Sequence, residues 1–581
     1  MSEILLYYKR PDPTTWVYLS SFLTIGLFFV FHRFWSIRNL DILLLILLAP
    51  GLLMVHEGYR RQLIESEAVA RQKTQPPAAQ QPAAARPNAQ HTEAIHPEAI
   101  HPEALRESQL SAIRPVDSTA SAVTSLMGAV PLFVIAQVDA VSEPITSEPK
   151  NSEPNNSDQQ EIVSTDGEPE TSEPETAETT GAEQSSTERQ LDATDALDTD
   201  FSSRLPAGYF APSDIRRLGF VYLFVIESLI LLRLMLDPLM VRRPLLDPNL
   251  TTGGLNFIGI SLFIFMMANV VASNPRVQVT QGPALGPGYA LMNIMPAIPT
   301  RPISDAPGGV SPPTTAELTP SQTRLAKIAK VLAILAHLAI VSGIVLIGNR
   351  HFSNLRAGVG CATLYLMLPY TAQMTGRVDH ALPAALLLWA VLFYRKPIVA
   401  GIFLGLAGGL VYYPLFLLPL WFSFYWQRGA RHFAVGVVAM LALLMIALSL
   451  DDSDTTLTQH LQRMFGVLNP NRDASELRGI WGLGWNPIWR LPVIVAFVIL
   501  SVFFAIWPAQ KNLGTLLSGS AALMVAAQFW HGYGGGLYIA WFLPLLLLTI
   551  FRPNLQDRVA TKVVVGGAKA TRESRSELEP V

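Results

Sequence analysis

GRVDHALPAALLLWAVLFYRKP, residues 376–397, sets an arginine, an aspartate and a histidine within four positions, directly ahead of the almost unbroken apolar run 381–394, and closes on Arg395-Lys396. A helix crosses a hydrocarbon core in roughly 20 residues, so charges at both ends of such a run mark where it would meet water. The same pattern recurs along the chain. Its 581 residues are 50% hydrophobic and 15% charged, with a mean hydropathy of +0.32, too apolar for an ordinary soluble protein unless the apolar residues are gathered into spanning segments. They are gathered at 16–31, 40–56, 218–236, 255–272, 331–348, 357–375, 378–393, 398–411, 415–426, 433–450, 491–507, 513–529 and 537–550. The pattern predicts an all-α fold, a polytopic transmembrane helical bundle of about 13 spans. The stretches 398–411 and 415–426 are short and predict a bent hairpin broken at Tyr413-Pro414, because proline lacks a backbone donor and restricts the residue before it.

The first apolar run begins beyond Thr15 without a small-residue cleavage site, so no cleavable signal is expected. The single cysteine, Cys361, excludes an intrachain disulfide and is expected to pack within a span. Composition divides the chain into a two-span segment at 1–71, an insert at 72–212, a second two-span segment at 213–273, a Pro/Gly-rich loop at 274–322, the main bundle at 323–552 with a loop at 451–489, and a tail at 553–581. The insert is rich in Pro, Glu, Ser and Thr, repeats HTEAI-HPEAI-HPEAL, and is expected to be disordered and of low complexity. Its histidines, His91, His96 and His101, share no helical face, so repeat slippage explains them better than a metal tract. The stretch 122–138 is the insert's one apolar island and is expected to be interfacial rather than spanning. Residues 141–200 hold 17 acidic residues against two basic ones, so the net charge of −3 conceals a basic membrane body.

Positive charge in short loops marks the cytoplasmic side. Arg33, Arg38, Arg242, Arg243, Arg350, Arg356, Arg395, Lys396, Arg428, Arg431, Lys511, Arg552 and Arg558 fall in alternate loops. The C-terminus is therefore expected inside, in a multi-pass protein of the plasma (inner) membrane. The insert, the 451–489 loop and the cluster Arg377, Asp379 and His380 are expected outside. Lys9, Arg10, Arg60 and Arg61 then fall on the outer side, against the rule.

Asp379 in a first helical turn can be no more than a favourable charge at the macrodipole. The company it keeps points further. The same outer side carries Asp451, Asp452, Asp454, His460, Arg463, Arg472, Glu476, Arg478, Trp481 and Trp485, and the HGYGGGLY turn with His531 and Tyr533. Carboxylates for proton abstraction, arginines for phosphate and aromatic rings for a sugar face are the parts a phosphosugar site needs. Near the N-terminus, Asn39 is a plausible helix N-cap and Asp41 a first-turn acid. Glu227, in FVIESLILLRLMLDP, falls near mid-membrane, where an ionisable residue is costly. Arg233 does not share its face, so a structural partner is expected from another helix.

GRVDHALPAALLLWAVLFYRKPIVAGIFLGLAGGLVYYPLFLLPLW (376–421) and GGGLYIAWFLPLLLL (534–548) resemble the central signature and the final outer turn of bacterial multi-span glycosyltransferases of the GT-C class, mannosyltransferase-like members included, over about 350–550. The resemblance implies a polyprenyl-phosphate-linked sugar donor, transfer on the outer face, and a carboxylate base on the first outer loop. Asp379, Glu57 and His380 become candidate catalytic residues, and Arg377, Arg478, Trp481, His531 and Tyr533 candidate substrate-binding residues. Two departures stand out. Many relatives carry a lysine where this chain has Val411-Tyr412, and the nearest acidic match to the first outer loop is Glu57 in VHEGYRR, after the second span.

No cofactor is evident, no metal ligand set is read, and the expected partners are membrane lipid and the sugar donor, with no nucleic acid. Three readings stay open at this point: the transferase, a secondary transporter using Glu227, and a non-catalytic scaffold. Apart from Glu227, Arg233, Asn269 and His337 the spans are apolar and no repeat relates the two halves, whereas transporters commonly line their midplane with polar groups and show repeats. The topology has a direct check. In a Cys361→Ala background, single cysteines at Ser453 and Ser574 are expected to react with an impermeant thiol reagent from opposite sides of the membrane; labelling from one side alone overturns the orientation.

Overall fold

In the computed structural model the described residues are 13–74, 211–240, 246–275, isolated positions between 288 and 300, 319–426, 428–449, 477–509, 511–532 and 534–555. The chain forms two units, residues 1–76 with 206–581 and residues 77–205. The second unit, with the histidine repeat, the acidic block and the 122–138 island, lies outside the described residues. So do residues 450–476, the tail beyond 555 and most of the 276–318 loop.

The first unit is an all-α, membrane-type bundle with no strand among the described residues. Its helices are α1 (Pro13–Phe28), α2 (Ile37–Thr74), α3 (Pro212–Met235), α4 (Thr252–Ala272), α5 (Pro320–Arg350), α6 (Leu355–Met367), α7 (Pro369–Gln373), α8 (Val378–Leu392), α9 (Pro397–Leu410), α10 (Leu418–Phe424), α11 (Ala430–Ser449), α12 (Arg490–Ile506), α13 (Leu513–Trp530) and α14 (Leu543–Phe551). Among the described residues seven helical stretches are long and apolar enough to cross a membrane: Ile37–Ser66, Pro212–Leu239, Thr252–Ala272, Pro320–Arg350, Ala430–Ala447, Pro487–Ile506 and Leu513–Trp530. Five further apolar helices are shorter.

Local chemistry sets many of these boundaries. Thr319 and Gln322 form a reciprocal capping box ahead of α5, with Pro320 at its first position, and Asn512 with Thr515 does the same for α13. Asn354 caps α6 and Thr251 caps α4. The start of α2 departs from expectation. Ser36 Oγ accepts from the Asn39 amide, while the Asn39 side chain accepts from Val30 N at 3.0 Å and donates to the carbonyls of Val30, Arg33 and Phe34. Asn39 therefore ties down the preceding turn instead of capping the helix. The predicted break at Tyr413-Pro414 is present as a 3-10 turn, Tyr413–Leu417, between α9 and α10.

α13 is the axis of the bundle: 89% of its apolar window is buried inside the protein, against 17% for Ala430–Ala447 and 22% for Thr252–Ala272. The peripheral helices turn residues such as Phe257, Val438 and Ile506 outward, the side that lipid would cover. α9 and α11 meet through small residues. A Cβ on Gly401 would stand 2.3 Å from the Phe433 carbonyl oxygen, and one on Gly436 2.3 Å from that of Ile398. Backbones this close gain dispersion contacts that larger side chains would prevent, the usual means of helix association where lipid removes the hydrophobic drive.

Contacts between turns sort the two ends of the bundle. At one end Asn249 N donates to Leu27 O, Arg38 to Asp247 O, Arg356 to Pro248 O, and Tyr425 Oη to Tyr394 O. Arg33, Arg350, Arg395, Lys396, Arg428 and Lys511 lie in or beside these turns. At the other end Arg478 N donates to Gly532 O, Trp481 Nε1 to Phe529 O and Trp541 Nε1 to Asp379 O.

Near the basic end the chain buries four charges together. Arg233 grips Asp41 through two bonds, Nε–Oδ1 at 2.7 Å and Nη2–Oδ2 at 2.9 Å, and reaches Asp237 Oδ1 at 3.0 Å. Arg552 completes the set on Asp237 Oδ2 at 2.5 Å. Asp41 is thus an ion-pair partner of another helix, not a macrodipole charge. Removing one member of a buried pair strands the other, at a cost of about 3–5 kcal/mol. Arg233→Met strands Asp41 and half of Asp237, and is expected to lower the melting temperature of the detergent-solubilised protein sharply; Arg233→Met with Asp41→Leu is expected to recover part of the loss.

Candidate functional site

The Gly376–His380 turn lies at the end opposite the basic turns, across α8 from Arg395 and Lys396. α6 stops at Leu368, where Pro369 starts α7, and α7 in turn stops at Met374. Arg377 N closes the turn onto Met374 O at 3.0 Å. Gly376 is required there, because a Cβ would lie 2.0 Å from the Ile298 carbonyl oxygen. This double reversal brings Tyr370 beside His380, with Tyr370 Oη and His380 Nδ1 2.5 Å apart.

Arg377 and Asp379 form a closed, largely buried pair: Nε–Oδ1 2.9 Å and Nη2–Oδ2 2.6 Å, with side chains 11% and 12% exposed. Both carboxylate oxygens are engaged, and such bidentate charge-assisted contacts are strong. His380 is buried, its Nε2 lies 3.7 Å from Asp379 Oδ2, and that nitrogen has no hydrogen-bond partner.

The 531–541 turn covers this pair. Gly534 and Gly536 take φ of +83° and +89°, values that L side chains rarely adopt. Gln528 holds the turn, its Oε1 accepting from Gly536 N at 3.2 Å and Tyr538 N at 3.3 Å and its Nε2 donating to Tyr538 O at 3.5 Å. Tyr538 is sandwiched between His380 (4.5 Å, 25°) and His531 (4.6 Å, 21°). His531 also lies nearly parallel to Trp541 and 5.0 Å from Tyr413, whose ring stacks on Tyr412 at 4.3 Å. The aromatic-Pro turn, read from sequence only as a helix break, thereby becomes one wall of the cluster.

Arg478 and Trp481 approach the same turn through their backbone and indole. Gly479 has φ +72°, and a Cβ there would stand 2.6 Å from Gly534 Cα. Arg490, fully buried, donates to Trp530 O at 3.0 Å behind it. Of the sequence candidates, Arg377, Asp379, His380, Arg478, Trp481 and His531 are therefore gathered around one turn. Tyr533 lies outside the described residues.

Glu57 is placed differently. It lies within α2, partly exposed, and its carboxylate is held by its own helix: Arg60 at 2.7 and 2.8 Å and Arg61 at 2.9 Å. Glu227 departs from the pairing expected of it. It is completely buried, and neither carboxylate oxygen has a hydrogen-bond partner; Oε2 would lie 3.8 Å from a Cβ on Gly536. Sequence reasoning missed Tyr370, Gln528, Tyr538 and Trp541 as parts of the cluster, although the glycine run and the aromatic positions around it were visible. Among the described residues no group of three or more His, Cys, Asp or Glu side chains is placed to hold a metal ion. No family model, curated protein or solved structure matches this chain.

The Gly479–Gly534 contact can be measured. Gly479→Ala adds a methyl group where the backbones touch and forces an L residue into the left-handed region, which alone costs about 1–2 kcal/mol. Gly484, at φ +88°, has nothing within 4 Å of its would-be Cβ. Gly479→Ala is expected to lower the melting temperature more than Gly484→Ala does, the difference reporting the close approach.

Proposed function

We propose that this chain is a multi-pass glycosyltransferase of GT-C type in the plasma membrane, moving a sugar from a polyprenyl-phosphate donor to an acceptor at the end of the bundle that carries Arg377, Asp379 and His380. All thirteen apolar segments cross or enter the membrane, the turns with Arg38, Arg356, Arg395 and Arg428 facing the cytoplasm by the positive-inside rule and the catalytic turn facing outward. The observation that carries this reading is the convergence of an Arg-Asp pair, a histidine with an open ring nitrogen and a stacked aromatic wall on one glycine turn.

The closed Arg377–Asp379 pair has a chemical use in such an enzyme. A donor phosphate is an anion that competes with Asp379 for the same guanidinium, so its arrival frees the carboxylate as it is bound. The acceptor hydroxyl then attacks the anomeric carbon, its proton passes to the freed Asp379 with His380 Nε2 within reach, and the bond from anomeric carbon to phosphate oxygen breaks. Polyprenyl phosphate leaves with the electron pair. Glu57, already held by Arg60 and Arg61, has no part in this scheme.

Asp379→Asn in proteoliposomes is expected to cut transfer of a labelled polyprenyl-linked sugar by about 10²- to 10⁴-fold, the usual cost of losing a positioned acid or base. The substitution also deprives buried Arg377 of its counter-charge, so the double variant Arg377→Gln/Asp379→Asn, which keeps a neutral hydrogen-bonding pair, serves as the structural control. It is expected to melt near the parent temperature and to transfer no sugar. Full transfer by a folded double variant overturns the assignment.

A further inference from the structure

Among the described residues, Asp41, Asp237, Asp379 and Glu227 carry carboxyl groups into the bundle. The first three each meet an arginine. Glu227 meets none, and both of its oxygens are buried without a partner. A buried polar group left unsatisfied is destabilising, and an isolated carboxyl group in a low-dielectric interior more so. Packing gives no reason for it: the neighbouring contacts of α3, Phe224 on Phe529 and Leu223 against Gly51 and Gly536, are apolar, and a methionine would serve them equally. Arg233 lies about 9 Å further along the helix at 1.5 Å per residue and is already occupied by Asp41 and Asp237.

Its Oε2 faces Gly536 in the Gly534-Gly535-Gly536 turn, 3.8 Å from where a Cβ on Gly536 would lie. That turn is latched over Glu227 by the Gln528 bonds at 3.2, 3.3 and 3.5 Å, all at or beyond the long end of the usual range. Behind the turn lie Arg490, whose Nη2 would stand 3.1 Å from a Cβ on Gly532, and Arg478, whose amide donates to Gly532 O; toward the basic end lies Arg233, and among the described residues of the turn the titratable groups are His531 and Tyr538. A cationic ligand would meet repulsion from these arginines. A neutral one bearing hydroxyl donors would not.

We propose that Glu227 is a sugar-recognition residue, its two oxygens accepting hydrogen bonds from adjacent hydroxyls of the transferred sugar once the glycine turn lifts from it. This rests on the glycosyl-transfer reading of the site and adds a specificity-determining carboxylate on α3, a helix that the resemblance at 350–550 does not include.

The test uses full-length protein, polyprenyl-phosphate-linked mannose and its monodeoxy analogues. With the parent protein, each deoxy analogue that removes a hydroxyl bound by Glu227 is expected to react with kcat/KM lower by about tenfold or more, the worth of one such hydrogen bond. Glu227→Met is expected to keep or raise the melting temperature, because it removes an unsatisfied group, while raising KM for the mannosyl donor and abolishing discrimination against those analogues. Glu227→Gln, which keeps one acceptor oxygen, is expected to fall between. A clear drop in melting temperature for Glu227→Met assigns the carboxyl a structural partner and overturns the proposal. Unchanged KM and discrimination also overturn it, and leave the transferase reading standing. Absence of transfer by the parent protein from mannosyl and other polyprenyl-phosphate sugars removes that reading, and the proposal with it.

Discussion

Arg233 holds the bundle's order together. It takes Asp41 from α2 with a two-bond grip and shares Asp237 with Arg552, so residues near the start of the chain, after the long insert and at the end of α14 meet in one charge-balanced cluster. The insert breaks the sequence between α2 and α3, and the ion cluster with the Gly51, Gly58 and Gly219 contacts restores their registry in space. Gly514 is part of the arrangement, since a Cβ there would fall against the Arg552 guanidinium. Ions buried this deeply gain little net stability over well-packed apolar residues. Their effect here is geometric: the bonds fix α2, α3 and the end of α14 against one another.

That alignment matters further along α3. The helix that presents Arg233 to the ion cluster also presents Glu227 to the glycine turn and Phe224 to Phe529. Fixing its rotation at the ion cluster therefore fixes which face meets the turn. The buried carboxylates differ. All four oxygens of Asp41 and Asp237 are bonded by Arg233 or Arg552, whereas both oxygens of Glu227, like His380 Nε2, have no hydrogen-bond partner. A satisfied network explains itself as structure, and unsatisfied groups gathered on one turn call for something else to bond them.

The all-α, membrane-type architecture was legible because hydrophobic runs and breaks are local properties. Tyr413-Pro414 and the glycine-rich face of α9 could be read where they stand. Pairings across the bundle could not. Asn39 looked like an N-cap because it precedes an apolar run, yet the helix starts two residues earlier and Asn39 turns back onto Val30, Arg33 and Phe34. Glu227 was expected to find a partner because buried acids usually do, and Arg233, the cation nearest in sequence, belongs to Asp41 and Asp237 instead. Glu57 resembled a loop carboxylate only while the extent of α2 was unknown. In the site, Arg377, Asp379 and His380 were evident as a costly cluster. Tyr370, Gln528 and Tyr538 carry no such signal, since aromatic and amide side chains in apolar sequence look the same whether they fill space or line a site.

The location of the site follows from helix length. A span must cover roughly 30 Å of hydrocarbon, and at 1.5 Å per residue α6, α8 and α9, with 13, 15 and 14 residues, cover only about two-thirds of it. Helices this short leave non-helical backbone at their ends, and such backbone at membrane depth is tolerated only inside protein. The turns between them meet that condition by meeting each other: Asp379 O takes the Trp541 indole, Phe529 O takes Trp481, Trp530 O takes Arg490, and Gln528 holds the glycine turn. Short helices packed against the buried α13 thus leave interrupted backbone inside the bundle, which polar side chains satisfy. A bundle of full-length spans would offer Arg377, Asp379 and His380 no such interior turn, and the charges would lie in the interface, solvated.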